Sequence, residues 1–369
     1  MFSPIRSSRS LAAIAFSTAL AACGGDAGGP PTAAEPTLAS SAGVPSGPAD
    51  VESSVTASPS AAPTRDLLGE WTVATLELGG GPDQPTEAFG SLWVLAVDGP
   101  LMNDGTEPAV HRIDPATNEV IASVPLPGRL CQGIGASPEA MWACGPDGLV
   151  RIDPVTNTVV ATIELDAALA VTRIAYGAGS VWAFATASVG PDLVVRVDPA
   201  TNAVTATIEL GRTAGTLAFG FEALWVAGPT DDLLLRVDPE TNAVETWTEG
   251  IETPGVVAIG QDAIWVSLHA EHGFQAGPNE PAVVRIDPAT GDVLASVVTG
   301  GSLGDEGGLA TTADAIWVRA PEPWLARIDP ATNEVVDVID TVSGPGDVTV
   351  AFGSVWVTTE RGDLIRLEP

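Results

Sequence analysis

The chain has three histidines, His111, His269 and His272, and the last two stand three positions apart. The run Ser267-Leu268-His269-Ala270-Glu271-His272 offers two ring nitrogens and a carboxylate, donors that suit a divalent metal. The run reads as a loop, so the helical His-Glu-x-x-His arrangement is not available to it. His269, Glu271 and His272 are therefore either a metal site or part of an ordinary solvated loop. Asp305 and Glu306, in a second loop, and His111 are candidates for binding a ligand. Arg173 stands where equivalent segments carry small or apolar residues; it either holds an anion or makes a structural ion pair. No Ser-His-Asp spacing, phosphate loop or nucleophile elbow is present. Apart from that metal, no cofactor is expected.

A repeat must position these residues. The stretch Val194 to Gly211, VVRVDPATNAVTATIELG, recurs as HRIDPATNEVIASVPL from His111, VRIDPVTNTVVATIEL from Val150, LRVDPETNAVETW from Leu235, VRIDPATGDVLASVV from Val284 and ARIDPATNEVVDVI from Ala326. IRLEP, near position 369, is a truncated copy. The corresponding arginines recur every 40 to 50 residues or about that, the length of one four-stranded propeller blade. Each repeat holds four extended runs. The first ends as in Ala218-Phe219-Gly220. The second carries Trp93, Trp142, Trp182, Trp225, Trp265, Trp317 or Trp356. The third is the Arg-Ile-Asp-Pro run, and the fourth alternates apolar and polar residues, which is strand periodicity. The tryptophans are expected to fill the gaps between blades.

The turn between third and fourth runs has its own chemistry. In Asp198-Pro199-Ala200-Thr201-Asn202, Pro presets φ, Asp accepts from amides ahead of it, and Asn tolerates positive φ. Arg and Asp two residues apart share a strand face, which predicts an ion pair between them.

The expected fold is all-β, a seven-bladed β-propeller of four-stranded antiparallel blades spanning 67–369. The last repeat lacks a fourth run. Trp71 to Gly79 matches that pattern, so the N-terminal strand is expected to join the C-terminal blade and close the ring. First-to-second and third-to-fourth turns then share one face and are short. The long insertions, Ala96 to Ala109, Ala183 to Asp192, Ser267 to Pro281 and Thr299 to Gly307, share the other. Function tends to sit on variable loops held by a rigid frame, so this is the expected binding face. Its acids include Asp98, Asp104, Glu107, Asp192, Asp231, Asp232, Glu271, Glu280, Asp305, Glu306 and Glu322.

The formal charge is -32, and the chain has no lysine. Clustered cations are what phosphate backbones require, so nucleic acid is excluded as a partner. Such a surface keeps a protein soluble and monomeric, and it suits cations or a basic partner.

Residues 1–22 carry Arg6 and Arg9, then the apolar run LAAIAFSTALAA, too short to span a bilayer. This reads as a signal peptide. It ends in Leu20-Ala21-Ala22-Cys23, which resembles the lipobox of bacterial lipoproteins; the resemblance implies cleavage before Cys23 and a diacylglycerol on its thiol. The protein is then extracytoplasmic and bound to a bacterial membrane by lipid alone. Residues 23–66 are rich in Gly, Pro, Ala and Ser and read as a disordered tether. Cys131 and Cys144 flank one hairpin, and an extracytoplasmic location favours a disulfide between them, with a free thiol pair as the alternative.

The Trp-Val run, the Arg-Ile-Asp-Pro-x-Thr-Asn turn and the Val-x-Ala-Thr-Ile-x-Leu-Gly run resemble YVTN-type β-propeller repeats. The blade pattern is also similar to that of streptogramin lyases, themselves seven-bladed. That second resemblance implies a catalytic His opening an inner strand and a Glu three residues past the second-strand aromatic. Here the inner strands open Cys131-Gln132-Gly133-Ile134 or Thr253-Pro254-Gly255-Val256, and the residues three past each Trp are Ala96, Gly145, Ala185, Gly228, Leu268, Ala320 and Thr359. Both halves of the signature are missing. The leading expectation is a tethered module that binds a protein or cell-envelope ligand through its acidic long-loop face. The alternatives are a metal-dependent enzyme of lyase or lactonase type and a cation-dependent sensor.

Overall fold

A computed structural model describes residues 66–97, 108–126, 132–145, 147–166, 169–187, 190–211, 215–228, 230–269, 280–300, 308–320, 324–339, 346–359 and 361–369. Runs rich in Val, Ile, Thr and Trp favour a pleated, half-buried strand. They form seven four-stranded antiparallel sheets. Blades 1 to 6 cover 81–125, 134–164, 169–209, 217–249, 254–297 and 308–339, each in sequence order from the inner strand outward. Blade 7 is built from both ends of the ring: Thr72–Glu77 is its fourth strand and pairs antiparallel with Asp363–Leu367. Innermost strands touch their neighbours all the way round, blade 7 against blade 1 included. The chain is thus an all-β, seven-bladed propeller with the expected closure.

One register recurs in every blade. The second-strand Trp lies opposite the third-strand Arg: Trp93 with Arg112, Trp142 with Arg151, Trp182 with Arg196, Trp225 with Arg236, Trp265 with Arg285, Trp317 with Arg327 and Trp356 with Arg366. All seven indoles are buried, the most exposed at 3%. They are core residues, and loss of such a ring costs about 3–5 kcal/mol. The N–H groups of Trp93, Trp142, Trp182, Trp225, Trp265 and Trp356 are satisfied within the blade. Trp182 Nε1 donates to Gly177 O at 3.0 Å and Trp225 Nε1 to Gly220 O at 2.9 Å, each tying the second strand to the end of the first.

The third-to-fourth turns behave as their residues predict. Asp198 Oδ1 accepts from Ala200 N at 2.9 Å, and Asn202 has φ 60. Asp114, Asp153, Asp287 and Asp329 make the same turn bond. The expected pairing of Arg with that Asp does not occur. Occupied by its own turn, the Asp leaves the Arg to reach across the gap between blades. Arg112 Nη1 donates to Pro154 O (2.6 Å) and Asn157 Oδ1 (3.1 Å) in the turn of the next blade. Arg151 holds Pro199 and Asn202, Arg196 holds Pro239 and Asn242, Arg285 holds Pro330 and Asn333, and Arg366 holds Pro115 and Asn118. Each of these guanidiniums also lies over the Trp of its own blade, 4.7 to 5.6 Å from the ring centroid.

Two arginines depart from this pattern for visible reasons. Arg236 faces the turn of blade 5, where Gly291 (φ 78) replaces Asn and has no amide to offer. It pairs instead with Glu245 at 2.5 Å and lies over Trp247. Arg327 faces blade 7, whose third and fourth strands come from opposite ends of the ring and have no turn between them. It takes Asp337 at 3.4 Å and Asp314 at 3.7 Å.

The ends differ in detail from the sequence reading. Trp71 closes a short helix, Leu67–Trp71, capped by Asp66, and the strand begins at Thr72. The helix packs Leu67 into the apolar cluster of blades 6 and 7, and Trp71 meets Trp317 edge-on at 6.0 Å. Ala183 to Ala187, read as loop, extend the second strand of blade 3, Ser180–Ala187. No helix among the described residues is long and apolar enough to cross a membrane.

Candidate functional site

The sequence candidates divide into those the structure places and those it does not. Cys23, Cys131, Glu271, His272, Asp305 and Glu306 lie outside the described residues. His111, Cys144, Arg173 and His269 are placed, and no group of three or more His, Cys, Asp or Glu among the described residues could hold a metal.

His111 sits within the third strand of blade 1, Ala109–Asp114, opposite Val94 on one side and Ser123 on the other. Its Nδ1 is 2.9 Å from Ser123 Oγ, and its Nε2 is buried with no hydrogen-bond partner. Burial lowers its pKa, favouring the neutral ring. Val94 and Ile113 of the same face belong to the apolar cluster shared with Leu76, Trp356 and Leu364 of blade 7. His111 is therefore a residue of the seam between the last and first blades.

His269 follows the second strand of blade 5. Its amide donates to Thr253 O at 2.9 Å, and the Thr253 hydroxyl donates back to His269 O. Its Nε2 is 3.0 Å from Ser267 Oγ, which in turn accepts from Val256 N at 2.7 Å. The imidazole lies against Gly255 at the start of the inner strand. One ring nitrogen thus serves the packing of this blade, and Ser267 is fully buried.

Arg173 lies in the inner strand Leu169–Gly177, opposite Phe184. Among the described residues its side chain makes one hydrogen bond, to Thr172 O at 3.4 Å, and has no carboxylate partner. Cys144 is buried and disulfide-bonded, and its amide donates to Gly133 O at 2.8 Å, two residues from Cys131 in sequence.

Sequence reasoning missed Arg319. It stands two residues past Trp317, where other blades have Leu95, Cys144, Phe184, Ala227, Ser267 and Thr358, and that mismatch was the available signal. The side chain is fully buried. Its guanidinium lies 4.9 Å over the Trp324 ring and donates to Ala320 O and to Trp324 O. A buried cation needs such acceptors, because desolvation penalises an unpaired charge.

The two faces of the ring are chemically distinct. On the short-turn face, the Thr201 hydroxyl and the Ala200 amide hold Asp198 below the usual carboxylate range, and the Thr241 and Glu240 amides do the same for Asp238. On the other face, Asp232 Oδ1 accepts from Thr253 N at 2.9 Å, tying a loop of blade 4 to the inner strand of blade 5. Asp231, Asp232 and Glu280 are exposed.

The fold and these positions define the class, a seven-bladed β-propeller, and the comparisons stop there. No family model matches the chain. No curated protein matches it. Among solved structures it is similar to a chain of the Mitotic Checkpoint Complex, at 12% identity and TM-score 0.64, over 86% of this chain and 97% of that one. The Neurospora crassa Pan2 WD40 domain is similar at 10% identity and TM-score 0.61, over 80% of this chain and 95% of that one. The computationally designed Ika8 protein is similar at 13% identity and TM-score 0.57, over 78% and 83%. Likeness at these identities is likeness of fold.

Proposed function

We propose that this protein is a bacterial lipoprotein, held outside the cytoplasm by lipidated Cys23, whose propeller binds a basic protein or cell-envelope partner through its acidic long-loop face. One observation carries the choice of face. The third-to-fourth turns of one face are engaged by arginines of neighbouring blades, as with Asn157 by Arg112 and Asn202 by Arg151. That face is spent on holding the ring, and the variable loops of the other are left for recognition. The charge of -32 supports a cationic partner. The missing lyase residues weigh against the enzyme alternative.

The lysine-free composition supplies a clean test. Carbodiimide joins carboxylates to amines, so on intact cells it cannot couple the side chains of this protein to one another. The full chain should give heavier adducts whose cross-links map to acids of the long-loop segments. Cys23→Ala should leave the membrane fraction and lose those adducts. Adducts spread evenly over the blades, or a Cys23→Ala protein that stays with the membrane, would overturn the reading.

A further inference from the structure

The inner strand of blade 3 breaks its ladder at one residue. Val171 lies opposite Ala185 and Arg173 opposite Phe184, so Thr172 is the extra residue of a bulge. Bulges re-aim side chains and recur beside functional sites. A second irregularity lies between Asp83 and Thr86, in the inner strand of blade 1. The two irregular segments meet across blade 2: Gln84 Nε2 donates to Thr172 O at 3.0 Å. Gln84 is buried and held at φ 46, a backbone region costly for a residue with a side chain. Blade 2 lies between the two segments. Its inner strand is only Ile134–Ala136, and a side chain at Gly133 would press on Val171 Cγ1 at 3.0 Å.

Two polar groups at this bulge are left with capacity to spare. Thr172 Oγ1 is buried and has no hydrogen-bond partner. The half-buried Arg173 guanidinium uses one N–H, in a 3.4 Å bond to the carbonyl beside it. Arg112, Arg151, Arg196, Arg236, Arg285, Arg319, Arg327 and Arg366 each lie over a Trp ring; Arg173 does not. Arg361 is exposed and solvated. Arg173 is thus a partly desolvated cation, on an innermost strand, with no acid beside it among the described residues, in a chain of charge -32.

We propose that Thr172 and Arg173 form an anion-binding subsite on the inner strand of blade 3, which takes the carboxylate or phosphate group of a small ligand. The guanidinium fork matches either group with two parallel N–H bonds. The Thr172 hydroxyl supplies a further donor. Gln84 holds the bulge that presents them. The charge of the chain as a whole disfavours polyanions and leaves a small ligand with one such group as the fit. This subsite is independent of the lipid anchor and of the loop-face partner.

Arginine modification reads the site directly. The full chain, in detergent, is treated with phenylglyoxal in chloride, acetate or inorganic phosphate at one ionic strength, and modified arginines are mapped by mass spectrometry. Arg173 should react in chloride and be protected several-fold by acetate, by phosphate or by both, while exposed Arg361 reacts alike in all three. Protection by acetate alone assigns a carboxylate, and protection by phosphate alone a phosphate. Thr172→Val should weaken protection without changing reactivity in chloride. Equal Arg173 modification in all three salts, protection of Arg361 to the same degree, or no reaction of Arg173 in chloride would each overturn the proposal.

Discussion

Arg366 and Asn118 are 248 positions apart in sequence, and Arg366 Nη1 lies 3.0 Å from Asn118 Oδ1. The same nitrogen donates to Pro115 O at 2.6 Å. The last blade therefore grips the first with the device that joins most other neighbours in the ring. It acts beside the strand pairing that completes blade 7, so the closing seam is held twice.

Asn118→Gly isolates the side-chain part of this grip. Asn118 has φ 58, which Gly adopts freely, so the backbone is spared while the amide is lost. A hydrogen bond to a charged, partly buried group contributes about 1.5–3 kcal/mol, and urea unfolding of the variant should show a loss of that size. At Gly291, where blade 5 lacks the amide naturally, an added Cβ would lie 2.5 Å from the Trp247 carbonyl oxygen, so Gly291→Asn should destabilise rather than recruit Arg236 from Glu245. An Asn118→Gly protein as stable as the parent would show that the seam does not depend on this contact.

Deleting residues 67–77 removes the fourth strand of blade 7 and bares the edge of Asp363–Leu367. Leu67, Leu76 and their apolar partners in blades 6, 7 and 1 lose contact as well. The whole ring should melt earlier, in one transition. A peptide of residues 66–79 added back should restore much of the difference. Unchanged melting of the shortened chain would mean that closure contributes nothing to stability.

His111 makes the same seam sensitive to acid. Its folded pKa is lowered by burial, whereas an unfolded histidine titrates near about 6.5. Below that value the unfolded chain binds a proton that the folded chain refuses, so stability falls as pH falls from there toward the folded pKa. Above it the effect is absent. Equivalent third-strand positions hold Val150 and Val195. His111→Val should therefore lose less melting temperature than the parent between about pH 7.5 and about pH 5, the carboxylate contribution being common to both. Parallel curves for the two proteins would remove His111 as the cause.

Much of the ring is legible because its rules are local. Trp at one strand position, Asp-Pro-x-Thr-Asn at one turn and apolar alternation in one outer strand each act within a few residues, and the fourth-strand pattern after Trp71 exposes the closure. The Arg contacts escape a local reading because their partner lies one repeat further on. Arg112 and Asp114 share a strand face, but Asp114 Oδ1 already accepts from Ala116 N at 2.8 Å. The exceptions then follow from sequence once the rule is known: Gly291 for Arg236, and a blade built from both ends for Arg327. The candidate site was less legible. Arg173 stands out by type, but its isolation depends on a bulge and on Gln84 from two blades away, and neither leaves a periodic signature.

The pairing of indole with guanidinium also makes each joint of the ring optically distinct. The second-strand tryptophans are shielded from solvent, and in six blades an arginine fork lies within 5.7 Å of the ring. A blade that loosens must uncover its own fluorophore to water and to soluble quenchers. The emission lost when one of these tryptophans is replaced by Phe, which keeps a large ring in the core, would report one joint at a time, so the order in which the ring comes apart is written in light the protein already emits.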